Sequence, residues 1–324
     1  MMTEPEATGA ALPASQDVPT STGSGGIRNI FVGPRGIRPG WRLLLFIAIL
    51  AALWFIVVQN GMRRIPAARE IIRQAQSGAP MGPDFQILFE TTALTLTSLA
   101  IWFMSRIERR PFGTYGVPLQ SAFGKLFWQG VIWGLAFETV EILGIYALGG
   151  YSFGSVALAG ATLVKYAIAW AIGFVLVGLF EESLFRSYAQ YTLASGIGFW
   201  PAAFLISGLF GATHLLNQGE GWVGALSVFC FGIFGCFTLR RTGNLWFVIG
   251  FHAATDYAES FIYSTPDSGL LVRGHLLNST FHGPAWLTGG TIGPEGSFMD
   301  FVVFALAFAL FAWVYRPKGN AASA

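Results

Sequence analysis

An all-α, polytopic membrane protein of about eight spans is the fold class this sequence predicts, and three observations predict it. Of 324 residues, 53% are hydrophobic and 11% charged, where an ordinary soluble domain carries about 25% charged residues. Mean hydropathy is +0.56. Apolar runs of about 20 residues recur, the length that crosses a hydrocarbon layer. Because lipid supplies no partner for backbone N–H and C=O groups, these runs are read as helices.

The elements follow in order. Residues 1–26, rich in Pro, Ser, Thr and Gly and poor in large apolar side chains, form a tail expected to be disordered. The basic stretch that follows, "IRNIFVGPRGIRPGWR", suits a membrane surface. Spans are predicted at 41–60, 86–106, 123–148, 158–181, 197–216, 221–240, 244–264 and 298–315. The fifth and seventh carry polar residues and are the weakest. "MRRIPAAREIIRQAQ", from Met62, reads as a short amphipathic surface helix. The chain thus divides into the tail, an N-terminal membrane part (27–150), a core holding the polar motifs (151–265), and an outer loop with the last span and a short tail (266–324).

Lys and Arg placement sets orientation. With the N-terminus inside, Arg28, Arg35, Arg38, Arg42, Arg106, Arg109, Arg110, Lys125, Arg186, Arg240, Arg241, Arg316 and Lys318 fall on the inner side. Only Arg63, Arg64, Arg69, Arg73 and Arg273 fall outside, and Lys165 lies within a span. Both termini are therefore expected in the cytoplasm, in a multi-pass protein of the plasma (inner) membrane. A net charge of +2 gives no field for nucleic acid. Cys230 and Cys236, six apart, face different sides of one helix and are expected to be unpaired.

Ionisable side chains inside spans are functional candidates, and here they cluster in the second half. Glu182 and Arg186 are four apart with the acid first, the favourable order for an ion pair within a helix. Glu181 is turned about 100° away, so its carboxylate is free for chemistry. Phe210 and His214 share a face, as do His252 and Asp256. Three helices can then present Glu181, His214, and His252 with Asp256 to one cavity, where a carboxylate accepts a proton from water and imidazoles bind a metal or an oxyanion. Plainer readings stand beside this one: a helix-end anchor for Glu182 and Arg186, a packing role for His214, a helix brace for His252 and Asp256. Glu138, Glu141 and Lys165 read as mutual partners or as lining of the same cavity. His275 and His282 read as loop residues.

"EESLFR", "FGATH" and "HAATD", in that order, resemble the EExxxR, FxxxH and HxxxN/D motifs of the CAAX-protease and bacteriocin-processing (CPBP, or Abi) family of intramembrane proteases, over about residues 155–265. The resemblance implies eight helices around a cytoplasm-facing cavity, and endopeptidase activity on a membrane-associated peptide or protein, with lipid as the other partner. It implies that Glu181 and His214 activate water, that His252 and Asp256 stabilise the oxyanion or complete the site, and that Glu182, Arg186 and Phe210 support it. Asp256 stands where some members have Asn. An ionised Asp donates poorly to an oxyanion, so Asp256 is read as orienting His252 or binding metal. The site resembles that of a metalloprotease and that of a glutamate protease equally; if a metal is bound, Glu181, His214 and His252 are its ligand set, zinc being one option, although no H-E-x-x-H is present. An ion-coupled transporter and a silent scaffold are the competing functions.

Overall fold

The computed structural model describes residues 28–34, 36–75, 80–217 and 219–316; the expected disordered tail at 1–26 lies outside the described residues. Helix α1 (Pro39–Trp54) runs on through wide turns to Gly61, and α2 is the short helix Pro66–Ala75. Helices α3 (Pro83–Glu108), α4 (Lys125–Ala147) and α5 (Gly160–Glu182) follow, then α6 (Gln190–Ile197), α7 (Phe199–His214) and α8 (Trp222–Thr242). Helix α9 (Trp246–Asp256) continues through wide turns to Ile262, and α10 is Phe298–Val314. Pro39 and Pro83 open α1 and α3 at the position where a missing N–H costs nothing. Ser297 caps α10 by accepting from Met299 N. Two-residue antiparallel pairs, Val32–Gly33 with Gly36–Ile37 and Tyr151–Ser152 with Thr280–Phe281, are the only sheets among the described residues.

Helices occupy all eight predicted positions, and five segments are long and apolar enough to cross a membrane: Pro39–Gly61, Pro83–Glu108, Lys125–Ala147, Gly160–Ile197 and Trp222–Thr242. Helices α7 and α10 are shorter, at 16 and 17 residues. Helix α9 is different in kind. Every residue from Trp246 to Thr255 is buried, so its surroundings are protein rather than lipid, and its polar residues face neighbours.

Glycine makes this enclosure possible. A Cβ on Gly130 or Gly134 of α4 would stand 2.0 Å from Phe247 O or 2.3 Å from Phe251 O of α9. A Cβ on Gly250 of α9 would stand 2.1 Å from Phe127 O of α4. The small-xxx-small spacing Gly130–Gly134 thus brings two backbones into contact, the usual device where no hydrophobic effect drives helices together in lipid. Around that seam Phe137, Phe234, Phe247, Phe251, Phe304 and Phe311 form an aromatic core from α4, α8, α9 and α10.

The two ends of the bundle are distinct. At one end Arg42 pairs with Glu108, Leu245 N donates to Gly116 O, and Arg241 Nη1 donates to Tyr315 O. This end gathers the start of α1 and the close of α10. At the other end Met81 N donates to Leu271 O and His282 N to Gly150 O, so the loop 263–297 packs on Met81 and on the connection 148–159. Helix α2 lies at this loop end. It is stapled by Arg73 on Glu70, and the arginine beside it holds the Glu70 carboxyl down at about 2.

Gly130→Val should overpack the α4–α9 seam by about 1–3 kcal/mol or more and lower the thermal midpoint and the yield of monodisperse protein in detergent. Gly208→Ala, where a Cβ meets nothing within 4 Å, should leave both unchanged. Equal behaviour of the two variants would remove the seam from this account.

Candidate active site

Helix α5 ends in the sequence Glu181–Glu182 and widens at once into π-type turns over Ser183–Ala189. Ser187 leaves helical geometry there (φ −86°, ψ −105°), and its Oγ donates to Tyr115 O at 2.6 Å. Wide turns of this kind recur at functional sites, and a second one follows Asp256 directly. Both motif helices therefore loosen beside the same residues.

The pair read from spacing is present. Arg186 Nη1 donates to Glu182 Oε1 at 2.9 Å, and both side chains are 0% exposed. Helix α8 makes room for it with glycine: a Cβ on Gly232 would stand 2.8 Å from Arg186 Nη2, and one on Gly235 3.7 Å from Glu182 Oε2. The Arg186 guanidinium lies 4.1 Å above the Phe210 ring centre, a cation–π contact that strengthens when water is absent. The Phe210 ring also meets His214 edge-on at 4.8 Å, and Phe210 O lies 2.9 Å from His214 Nδ1. Phe210 thus links the arginine of one motif to the histidine of the next.

Glu182 has a second partner that sequence spacing did not reveal. His252 Nδ1 lies 2.9 Å from the same Oε1 that Arg186 holds. Glu182 is an acceptor committed to a cation, so His252 donates through Nδ1 and turns Nε2 toward the cavity. There Glu181 Oε2 and Asp256 Oδ2 each stand 3.6 Å from Nε2. Asp256, read from the sequence as orienting His252 or binding metal, faces the outer nitrogen alongside Glu181, while Glu182 holds the inner one.

A cavity of about 330 Å³ receives these groups, lined by Glu181, His214, His252 and Asp256 together with Phe85, Phe89, Phe174 and Val177. Glu181 keeps 22% exposure of its side chain against 0% for Glu182, the division expected from their 100° separation. Glu90, Glu138, Glu141, Glu259, Asp267, Glu295 and Asp300 line the same cavity, and no Lys or Arg does. Lys165 is exposed, and no ion pair joins it to Glu138 or Glu141, which corrects the reading of the three as partners. Glu259, Asp267, Glu295 and Asp300 escaped the sequence reading; acids within or beside apolar runs were the available signal. His275 and His282 bond loop neighbours, Leu277 O and the hydroxyls of Ser152 and Thr280. Cys230 and Cys236 are unpaired.

The predicted metal ligands do not converge. One ion needs its ligand atoms within a few ångström of each other, and among the described residues the one group of three His, Cys, Asp or Glu atoms within 4.8 Å of one another is Glu259, Asp267 and Glu295. Glu181, His214 and His252 share the cavity without forming such a set, so no step is built on a metal there.

The cavity extends toward one end of the bundle. Cavity residues outside the helices, Met81, Asn217, Ser268, Leu270 and Glu295, all belong to the loop end of the bundle. The start of α1 and the close of α10 lie at the opposite, arginine-rich end.

Residues 163–258 match the family model described as Rce1-like, type II CAAX prenyl endopeptidase Rce1-like. All three motifs fall inside the match, which bears out their resemblance to the CPBP family and supports a peptidase. No curated protein matches the chain.

Two outcomes follow from this geometry. Arg186→Ala leaves Glu182 buried without its cation and should lower stability by about 3–5 kcal/mol, read as loss of folded protein; Arg186→Lys, which cannot lie flat on Phe210, should recover only part of it. Wild-type stability in Arg186→Ala would contradict the pairing. In a background lacking Cys230 and Cys236, a cysteine replacing exposed Leu270 should react with an impermeant maleimide from the side opposite that which labels a cysteine at the C-terminus. Labelling of both from one side would overturn the two-ended arrangement.

Proposed function

We propose that the chain is an intramembrane endopeptidase of the glutamate type, cutting a membrane-associated peptide or protein. The observation that carries this reading is the contrast between two adjacent acids. Glu182 is locked by Arg186 and His252, while Glu181 faces the cavity 3.6 Å from His252 Nε2. A carboxylate with no structural partner, beside an oriented imidazole in a sheltered cavity, is equipped for general-base work.

The step follows from these positions. Water bound between Glu181 and His214 gives its proton to the Glu181 carboxylate as its oxygen attacks the peptide carbonyl carbon. His252, carrying a proton on each nitrogen among Glu182, Glu181 and Asp256, donates from Nε2 to the developing oxyanion. The C–N bond then breaks, and the proton held by Glu181 passes to the leaving nitrogen. His214, with Nδ1 against Phe210 O, offers Nε2 to hold the water. Asp256 completes the polar wall facing Nε2. The aromatic wall of Phe85 and Phe89 suits an apolar portion of the substrate, in keeping with the prenylated substrates that the matched family's description names. With the arginine-rich end and both termini in the cytoplasm of a plasma membrane, the scissile bond reaches the cavity from the other face.

The acid-lined cavity favours one second reading, an ion-coupled carrier. Flux of cations into liposomes without peptide cleavage would select it.

Glu181→Gln should lower cleavage of a peptide library by about 10²–10⁴-fold, the usual worth of a general base, with expression and thermal midpoint near wild type. Retained cleavage in Glu181→Gln removes Glu181 from the role of base.

A further inference from the structure

The cavity contains more carboxylates than proteolysis uses. Glu259, on the wide turn after α9, Asp267 in the loop and Glu295 before α10 each bring an oxygen to within 4.8 Å of the others. Oxygens about 2.3–2.6 Å from one Ca²⁺ span that range of separations. The loop holds the set in place. Ser268 donates from N and Oγ to Glu295 Oε2 at 2.9 and 2.6 Å, and Ser260 Oγ donates to Asp267 Oδ2 at 3.1 Å. Each bond leaves the second oxygen of its carboxylate for a ligand, the arrangement by which an outer layer orients metal-binding groups.

Buried oxygens without partners point the same way. Glu259 is 3% exposed, and its Oε1 has no hydrogen-bond partner. Gly293 closes over it, with room for a Cβ only 3.1 Å from that oxygen. From a separate helix, α4, Glu138 is 2% exposed and its Oε1 is also unpartnered. Glu138 stands close enough that its charge acts on Glu259, as does that of Glu295. Among the described residues no Lys or Arg lines the cavity, and His252 is already engaged by Glu181, Glu182 and Asp256, so protons or an ion offset the charge left at this cluster.

We propose that Glu259, Asp267 and Glu295, with Glu138 beside them, bind one hard divalent cation, Ca²⁺ or Mg²⁺, at the loop end of the cavity, apart from Glu181, His214 and His252. An all-oxygen set selects hard cations over zinc. The ion would tie the loop to α9 and, through Glu138, to α4. The proposal does not rest on the peptidase reading, and its test needs no activity.

The test uses full-length protein in detergent, stripped with EDTA and dialysed. CaCl₂, MgCl₂ or MnCl₂ alone is then added while the thermal midpoint is followed, and Mn²⁺ is counted by paramagnetic resonance. Wild type should gain a saturable rise in midpoint and bind about one Mn²⁺ per chain. Glu295→Gln and Glu259→Gln should each weaken binding at least about tenfold. Ser268→Ala, which removes only an outer partner, should weaken it about 10–100-fold. His214→Ala should bind as wild type does. No response of wild type to any of the three cations overturns the proposal and assigns the compensation to protons. Unchanged binding in Ser268→Ala and both Gln variants, or loss in His214→Ala, overturns the site as placed.

Discussion

One carboxylate oxygen organises the centre of this protein. Glu182 Oε1 accepts from Arg186 Nη1 and from His252 Nδ1, both at 2.9 Å, in full burial. A buried carboxylate is strongly unfavourable unless charge and hydrogen bonds surround it, so this site cannot relax without exposing a charge to an apolar interior. The consequence reaches three helices. Arg186 is fixed on the wide turn of α5 and pressed on Phe210 of α7. His252 is fixed on α9 with Nε2 outward. Glu181, the next residue along, is turned about 100° from Glu182 and faces the cavity.

Backbone proximity sets where that carboxylate can act. Gly130, Gly134 and Gly250 let α9 sink against α4, and Gly178 of α5 meets Ile249 O, with room for a Cβ only 2.8 Å from it. Helix α9 thereby becomes an inner element carrying His252, Asp256 and Glu259 on successive turns. The buried carboxylates of α4, the loop and α10 gather beyond it. Glu181, His214 and His252 thereby line one cavity with Glu259, Asp267 and Glu295, of which Asp267 and Glu295 belong to the loop 263–297. A bound cation would hold that loop closed over the cavity without touching Glu181.

Contacts along a single helix were legible in the sequence because 3.6 residues per turn fixes them. Glu182 with Arg186, Phe210 with His214 and the free face of Glu181 all follow from that period. So did the helical positions, since apolar runs mark them whether a helix meets lipid or protein. Spacing does not say which environment applies. That is why α9 read as a weak span when it is an inner helix, and why Lys165 was paired with acids it does not meet. The bond between Glu182 and His252 joins residues 70 apart, and Glu259, Asp267 and Glu295 meet only once the loop folds back. Such partners depend on which helices adjoin, which composition cannot encode.

The placement of a proton on His252 Nδ1, shared with Glu182, is the centre of this account. It is tested most directly by nitrogen-15 NMR of the full chain labelled at its four histidines. The account predicts that His252 carries a proton on Nδ1 in a strong hydrogen bond, and that Glu182→Gln shifts the His252 ring resonances while leaving those of His275 and His282 unmoved. A bare Nδ1 on His252, or ring resonances indifferent to Glu182→Gln, would contradict it.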